Sequence, residues 1–231
     1  MIAPDLIPHL PDLARSLARV RSQRVVVKVG GSIQDHPATM RALMGEVAAL
    51  SLLGAHVCVV HGGGKAITAA LASAGLASRF VGGQRYTDAA TLQIAERVLA
   101  LDVNQELTGY LGEWGAQGVG LHSLATCVLR ARRVTAADPA QDLGLVGEVV
   151  DVDAAVLLGL MDSARVPVIA PVALDAAGMG QSESDGEGAS AGGGKLNVNA
   201  DLAAGAVADA LKPDAFILVS DTPGVRVDAT T

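Results

Sequence analysis

Half of the 231 residues are apolar but only 2% are aromatic, so valine, leucine, isoleucine and alanine must fill one large core, or one core with a small appended lobe. A net charge of −7, from 17 Lys and Arg against 24 Asp and Glu, disfavours a nucleic-acid binder, which normally shows a basic face. It does not exclude a phosphate ligand held locally by N–H groups and one or two lysines. The two cysteines, Cys58 and Cys127, have no metal-ligand spacing, and the apolar run around Cys58 suits a buried reduced thiol. Pro4, Pro8 and Pro11 break residues 1–16, so no signal peptide is expected, and no apolar run reaches the length of about 18 residues that a membrane span needs. The expected compartment is the cytoplasm.

Residues 5–20 put Leu6, Leu10, Leu13, Leu17 and Val20 on one side of a helix, with Pro8 and Pro11 confining regular helix to its later part. That face can serve a partner subunit or its own domain. Residues 24–32, Arg-Val-Val-Val-Lys-Val-Gly-Gly-Ser, read as a strand buried on both faces that ends on Gly30 and Gly31. Two glycines after a strand let backbone N–H groups approach a ligand, and Lys28 beside them suggests an anion. A surface lysine before an ordinary turn is the plainer alternative. Residues 39–53 have helix spacing and stop at Gly54. A second strand over 56–60 runs into His61-Gly62-Gly63-Gly64-Lys65, and a helix over 66–76 follows. A helix N-terminus after a glycine bend favours negative charge. It is not a Walker A loop: Val59 stands where its first glycine belongs and Ala66 replaces the Ser or Thr.

Residues 79–86 read as a hairpin or lid around Gly82-Gly83, and Thr87 as the N-cap of a long helical stretch over 88–114, bent near Gly109 or Gly112. Short strands are expected at 119–121, 127–134 and 145–152, a helix at 154–163 and a strand at 166–171. Residues 175–194, dominated by Gly, Ser, Ala, Asp and Glu, read as a mobile loop. Residues 195–200 lead into a helix over 200–211, and 215–220 reads as another buried strand. The repeated strand, glycine bend and helix give an α/β fold with a mainly parallel sheet, and both bends belong at the carboxyl edge where ligands bind. Asp201 near a helix N-terminus also fits dipole compensation, and Asn197 or Asn199 a cap. His61 reads as structural, and His9, His36, His56 and His122 form no cluster.

Six segments in order resemble the amino-acid kinase family over nearly the whole chain: Lys28-Val29-Gly30-Gly31, Val60-His61-Gly62-Gly63-Gly64, Gly83-Gln84-Arg85-Tyr86-Thr87-Asp88, Val166-Pro167-Val168-Ile169-Ala170-Pro171, Asn197-Val198-Asn199-Ala200-Asp201 and Ser220-Asp221-Thr222-Pro223-Gly224-Val225. The resemblance implies a three-layer αβα sandwich with a mainly parallel central sheet and a C-terminal part that is incomplete here. It implies an acetylglutamate-binding, dimerising lobe over 1–172 and the start of a nucleotide-binding lobe over 173–231. The implied activity is transfer of the ATP γ-phosphoryl, with Mg2+, to the side-chain carboxylate of N-acetyl-L-glutamate in arginine synthesis. Lys28 would neutralise phosphoryl oxygens, and Asp201 would hold that lysine. Gly30, Gly31, Gly63 and Gly64 would offer N–H groups to the phosphoryl and carboxylate oxygens, and Arg85 with Asn197 would hold the substrate. No protein metal site is implied. The resemblance further suggests a homodimer, and through the leading helix a hexamer.

Two departures from the family pattern shape the expectation. Residues 175–194 are longer and looser than the usual connection. The elements that carry much of the adenine and ribose site, with a second phosphate-binding lysine in a Gly-x-x-x-Lys setting, are not found before Thr231, and neither Lys195 nor Lys212 fits that motif. The chain is therefore expected to bind acetylglutamate better than it binds or uses ATP. A non-catalytic acetylglutamate-binding or regulatory protein, and a kinase for acetylaminoadipate, stay open as alternatives.

Overall fold

The computed structural model describes residues 10–30, 36–136, 138, 141–177 and 194–220. Its centre is a five-stranded sheet in the order β11-β1-β2-β8-β5, every neighbouring pair parallel. The strands are β1 (Arg24–Val29), β2 (His56–His61), β5 (Gln117–Leu121), β8 (Arg165–Ile169) and β11 (Ala215–Val219). Alternate residues of β1 and β2 feed two separate cores. Val25, Val27, Val29, Val57 and Val59 pack into one, and Val26, Cys58 and Val60 into the other. Both faces are covered, and for that reason these strands read as unbroken apolar runs. The one polar residue inside β1, Lys28, falls on the face of Val26.

The first core is closed by α2 (Pro37–Leu52), α3 (Gly64–Ser73), α4 (Ala89–Arg97) and α5 (Asn104–Glu113). The second is closed by α6 (Ala154–Asp162), α7 (Ala200–Leu211) and a closed four-stranded barrel. The barrel consists of β6 (Leu129–Arg133), β7 (Val146–Val152), β9 (Val172–Asp175) and β10 (Lys195–Val198). The three-layer sandwich is present, with the barrel added. A short antiparallel hairpin, β3 (Phe80–Val81) and β4 (Gln84–Arg85), turns through Gly82 and Gly83. Both glycines have positive φ, +55° and +79°, the pairing a tight hairpin turn requires. The leading helix α1 spans Leu10–Val20, with Pro11 in its first turn, where a missing N–H costs nothing. Among the described residues no helix is long and apolar enough to cross a membrane.

Several sequence expectations need correction. The cap before α4 is Asp88, whose carboxylate accepts from the Thr91 N–H at 2.8 Å, not Thr87. Thr87 is buried, and its hydroxyl donates to the Arg85 carbonyl instead. The helical stretch runs through Gly109 and Gly112 without a break; its irregularity is a π-helical turn over Val98–Val103. Helix α3 starts at Gly64 rather than 66, because the glycine bend itself supplies its first turn. Strands β9 and β10 were not expected. Each is only 4 residues long, too short for a period to show. Strand β11 lies at the sheet edge with Phe216, Ile217 and Leu218 exposed by 42%, 41% and 54%, so it is not buried. The expected mobile stretch lies largely, and the 221–225 motif and Gly31 wholly, outside the described residues.

Candidate active site

Lys28 is drawn to the second face of the sheet by the strand period, and there it meets the first turn of α7. Its Nζ lies 2.8 Å from Asp201 Oδ1, with the lysine side chain 11% exposed and the aspartate 63%. The lysine is buried and its partner exposed, so the carboxylate offsets part of the cost of burying the ammonium rather than adding net stability. It does fix where the ammonium sits. Asp201 is held near Lys28 by the Asn199 cap, whose Oδ1 accepts from the N–H groups of Asp201 and Leu202 at 2.8 and 3.2 Å. Asn199 is thus the cap, and Asp201 serves both as a first-turn acid and as the lysine's partner. Gly30, one residue past β1, donates its N–H to the Val219 carbonyl at 2.9 Å.

The second bend, Gly62-Gly63-Gly64, leaves β2 and opens α3. A Cβ on Gly63 would lie 2.5 Å from Leu99 Cδ2, so the helix after α4 seals the bend from behind and only glycine fits without a shift. Below the bend, His61 is fully buried and touches both the Gly62 carbonyl and Asn104, the first residue of α5. Burial pushes its pKa down to about 4, so the imidazole is neutral at physiological pH.

Arg85 ends the hairpin with its guanidinium turned inward. Nη2 donates to the Gly64 carbonyl and to Thr68 Oγ1, both at 2.8 Å, and Nη1 donates to Ser78 Oγ at 2.5 Å. The plane also stacks on Phe80, 4.7 Å from the ring centre. Burial lowers the pKa of the guanidinium, which still stays protonated because arginine starts so high. Three of its five N–H groups are used, and Nε–H with one Nη1–H remain for a ligand. Asn197, on β10, donates to the hydroxyl of Thr87 at 3.1 Å.

One cavity of about 650 Å³ gathers these groups. Lys28, Gly63, Gly64, Arg85, Asn197 and Asp201 all line it. Gly30 is not among the lining residues. A lysine and an arginine therefore face one space across a glycine bend and a helix N-terminus, an arrangement suited to an anionic ligand. Among the described residues no group of three or more His, Cys, Asp or Glu could hold a metal ion. Asp201 is the one carboxylate among the described residues that line the cavity.

The Amino acid kinase family matches residues 23–230. The chain belongs to that family. It is 38% identical over 233 residues to the acetylglutamate kinase of Sphingopyxis alaskensis, covering 96% of this chain and 72% of that one. To the acetylglutamate kinase of Geobacter metallireducens it is 39% identical over 217 residues, 91% of this chain and 69% of the relative. Among solved structures, the N-acetylglutamate synthase of Neisseria gonorrhoeae complexed with coenzyme A and N-acetyl-glutamate superposes with a TM-score of 0.76 at 20% identity, over 95% of this chain and 46% of that one. The carbamate kinase of Giardia gives 0.56 at 14% identity, over 90% and 76%. At those identities the two structures show the fold alone.

Sequence reasoning missed the residues that hold the site residues. Thr68 is four positions after Gly64 on α3, a spacing that places it on the same helix face and could have flagged it. Ser78 and Phe80 gave no signal, since only the hairpin's folding brings them to Arg85. Glu96 was also missed: it accepts from Lys195 Nζ at 2.6 Å and Ser123 Oγ at 2.5 Å, tying α4 to the start of the strand that carries Asn197.

Proposed function

We propose that the chain transfers the γ-phosphoryl group of ATP to the side-chain carboxylate of N-acetyl-L-glutamate. The observation that carries this reading is the cavity that places the Lys28–Asp201 pair and Arg85 around the Gly62–Gly64 bend. The relatives at 38% and 39% identity that bear the name acetylglutamate kinase supply the substrate. A carboxylate oxygen attacks the γ-phosphorus, a new P–O bond forms, the bond to the β-phosphate oxygen breaks, and ADP leaves with the electron pair. The attacking carboxylate is already ionised at neutral pH, so no general base is needed. The task is to offset negative charge on both reactants and to align them.

Lys28 neutralises the transferring oxygens, and Asp201 keeps it in place. The N–H groups of Gly63 and Gly64 donate to the phosphoryl and carboxylate oxygens as charge develops there; Gly30 does not share this role, because its N–H is given to the Val219 carbonyl. Arg85 offers its remaining Nε–H and Nη1–H as separate donors, with its full charge, to the α-carboxylate, and Asn197 adds a donor or acceptor beside it. A Mg2+ ion brought by the nucleotide would keep phosphate and water ligands, since Asp201, the one carboxylate among the described lining residues, already pairs with Lys28. Residues 1–172 form the acetylglutamate-binding part on this reading, and 173–231 begin the nucleotide part. A homodimer belongs to the same reading, supported by Leu52, Leu53 and Trp114, which are exposed at the ends of α2 and α5; sedimentation at micromolar concentration checks it.

The direct test is formation of acetylglutamyl phosphate, trapped as its hydroxamate, from ATP and N-acetyl-L-glutamate. Product above the Lys28→Ala blank is expected. An equal yield from wild type and blank would overturn the reading.

A further inference from the structure

Under the cavity lies a buried polar chain that the transfer itself does not use. His61, 0% exposed, ends β2 directly before the glycine bend. Its Nδ1 is 2.9 Å from the Gly62 carbonyl oxygen, and its Nε2 is 3.1 Å from the side-chain nitrogen of Asn104. A carbonyl oxygen can only accept, so Nδ1 carries the proton and Nε2 must accept from Asn104. Asn104 gives its other N–H to the Val168 carbonyl at 2.8 Å, which fixes the orientation of its amide. A single assignment of protons satisfies the whole chain, and it joins β2, α5 and β8 beneath one peptide group.

That peptide is the link between Gly62 and Gly63. It is trans, and in a trans peptide the C=O and N–H point to opposite sides. With the Gly62 oxygen tied to the buried ring, the Gly63 N–H points away from it. On that side Gly62, Gly63 and Gly64 line the cavity, which His61 does not reach. Among the described residues no backbone acceptor receives the N–H of Gly63 or Gly64. From behind, Leu99 closes on Gly63, so the bend has little room to rotate.

We infer that His61 is a positioning residue: by holding the Gly62 carbonyl it aims the Gly63 N–H at the oxygen that gains charge during transfer. The inference rests on the cavity being the phosphoryl-transfer site proposed above. Donors of this kind accelerate a reaction because they are fixed before charge develops. Losing the aim should lower kcat and leave the grip of Arg85 on the substrate, hence KM, nearly unchanged.

Two variants separate positioning from packing. Asparagine at this position keeps an N–H where Nδ1 stands, so His61→Asn still holds the Gly62 carbonyl. Glutamine reaches Asn104 but leaves that carbonyl unheld. His61→Gln is expected to lose about 10²-fold in kcat with KM for acetylglutamate within about threefold, and His61→Asn to stay within about tenfold of wild type. If His61 only fills space, both variants will lose activity in step with their melting temperatures, and the inference fails. Should His61→Gln not fold, Asn104→Ala frees the ring while leaving His61 in place. A smaller kcat loss in the same direction is then expected, and an unchanged kcat overturns the inference.

A second readout does not depend on turnover. The Gly63 amide cross-peak in a ¹⁵N–¹H spectrum should shift on adding acetylglutamate or inorganic phosphate to wild type and to His61→Asn, and stay still in His61→Gln. If wild type makes no acetylglutamyl phosphate, the functional reading fails, and this cross-peak still decides the role of His61. An equal shift in both variants, or none in wild type, overturns the positioning role.

Discussion

The two sides of the central sheet are built to opposite standards of order. At β2 the Gly62–Gly64 bend is held from below by His61, sealed from behind by Leu99, and held at the Gly64 carbonyl by Arg85. Among the described residues β11 pairs with β1 alone, and three successive apolar side chains, Phe216, Ile217 and Leu218, stand exposed. The other edge strand, β5, is covered instead: Gly118 and Gly120 let α5 approach so closely that a Cβ on either would meet Thr108, Leu111 or Asn104. The contrast shows where this fold invests its constraints. The proposed acceptor side is fixed before any ligand arrives, a condition that electrostatic catalysis requires. The far edge carries apolar surface without a matching cover among the described residues.

The strongest test of that contrast acts on the cation between the two sides. Lys28→Ala should reduce kcat by about 10³–10⁵, the range seen when a positioned cation is lost from a phosphoryl-transfer site. The fold should survive, since Lys28→Ala removes a buried charge and leaves behind only Asp201, which is exposed. Steady-state hydroxamate formation and thermal melting, measured together, check both halves. A variant that melts early would mean that Lys28 mainly serves the core.

Next in size is the acceptor grip. Arg85→Ala should weaken acetylglutamate binding by roughly 2–5 kcal/mol, as for losing one partner of a buried hydrogen-bonded charge pair. Calorimetry reads this directly, and an unchanged affinity would remove Arg85 from the substrate site. Thr68→Val should act in the same direction but more weakly. It removes one of the three hydrogen bonds that hold the guanidinium and leaves the charge in place.

What the sequence made legible follows from distance along the chain. Lys28 stood out because it is the single polar residue inside an apolar strand, and the period of two assigns it a face. Both glycine bends were visible for the same reason, each following a buried strand. The partners of Arg85 were not, because Ser78, Thr68 and Gly64 lie 7, 17 and 21 residues before it and meet it only through the hairpin. His61 and Asn104 are 43 residues apart, and the π-helical turn over Val98–Val103 adds a register shift that ordinary helix spacing cannot anticipate. The apolar pattern of β11 resembles that of β2, so the sequence could not show that one is central and the other an edge. Burial on both faces depends on what packs there, which a strand does not record.

A pH test sharpens the account of the buried side. His61 titrates near 4 in the folded chain and near 6.5 when unfolded, because burial disfavours its charged form. Between those values the unfolded state binds more protons, so stability rises with pH. Its share is fully present above about pH 6.5 and is lost as pH falls towards 4, to a total of roughly 3 kcal/mol. Urea unfolding of wild type and His61→Asn at pH 7 and pH 4.5 should show the wild type losing more stability, by roughly 2–3 kcal/mol. Parallel losses would mean that His61 is hydrated and that the bend is not sealed from below.

The smallest expected effect concerns β11, and it can break the comparison. Leu218 sits opposite Lys28 in the register of β1 and β11, yet 54% of it is exposed. A side chain already half in water forfeits little when it is shortened. Leu218→Ser should therefore change the urea-unfolding free energy by no more than about 0.5 kcal/mol, the usual bound for surface sites. Ile217→Ser should do the same on the opposite face of the strand. A buried leucine cut back to a small side chain instead loses about 2–5 kcal/mol. A loss in that range at 218, independent of protein concentration, would mean that the chain's own residues cover this face in solution. A loss that shrinks on dilution would assign the cover to a second molecule. Either result would make the β11 edge as ordered as the bend after β2 and end the contrast between the two sides of the sheet.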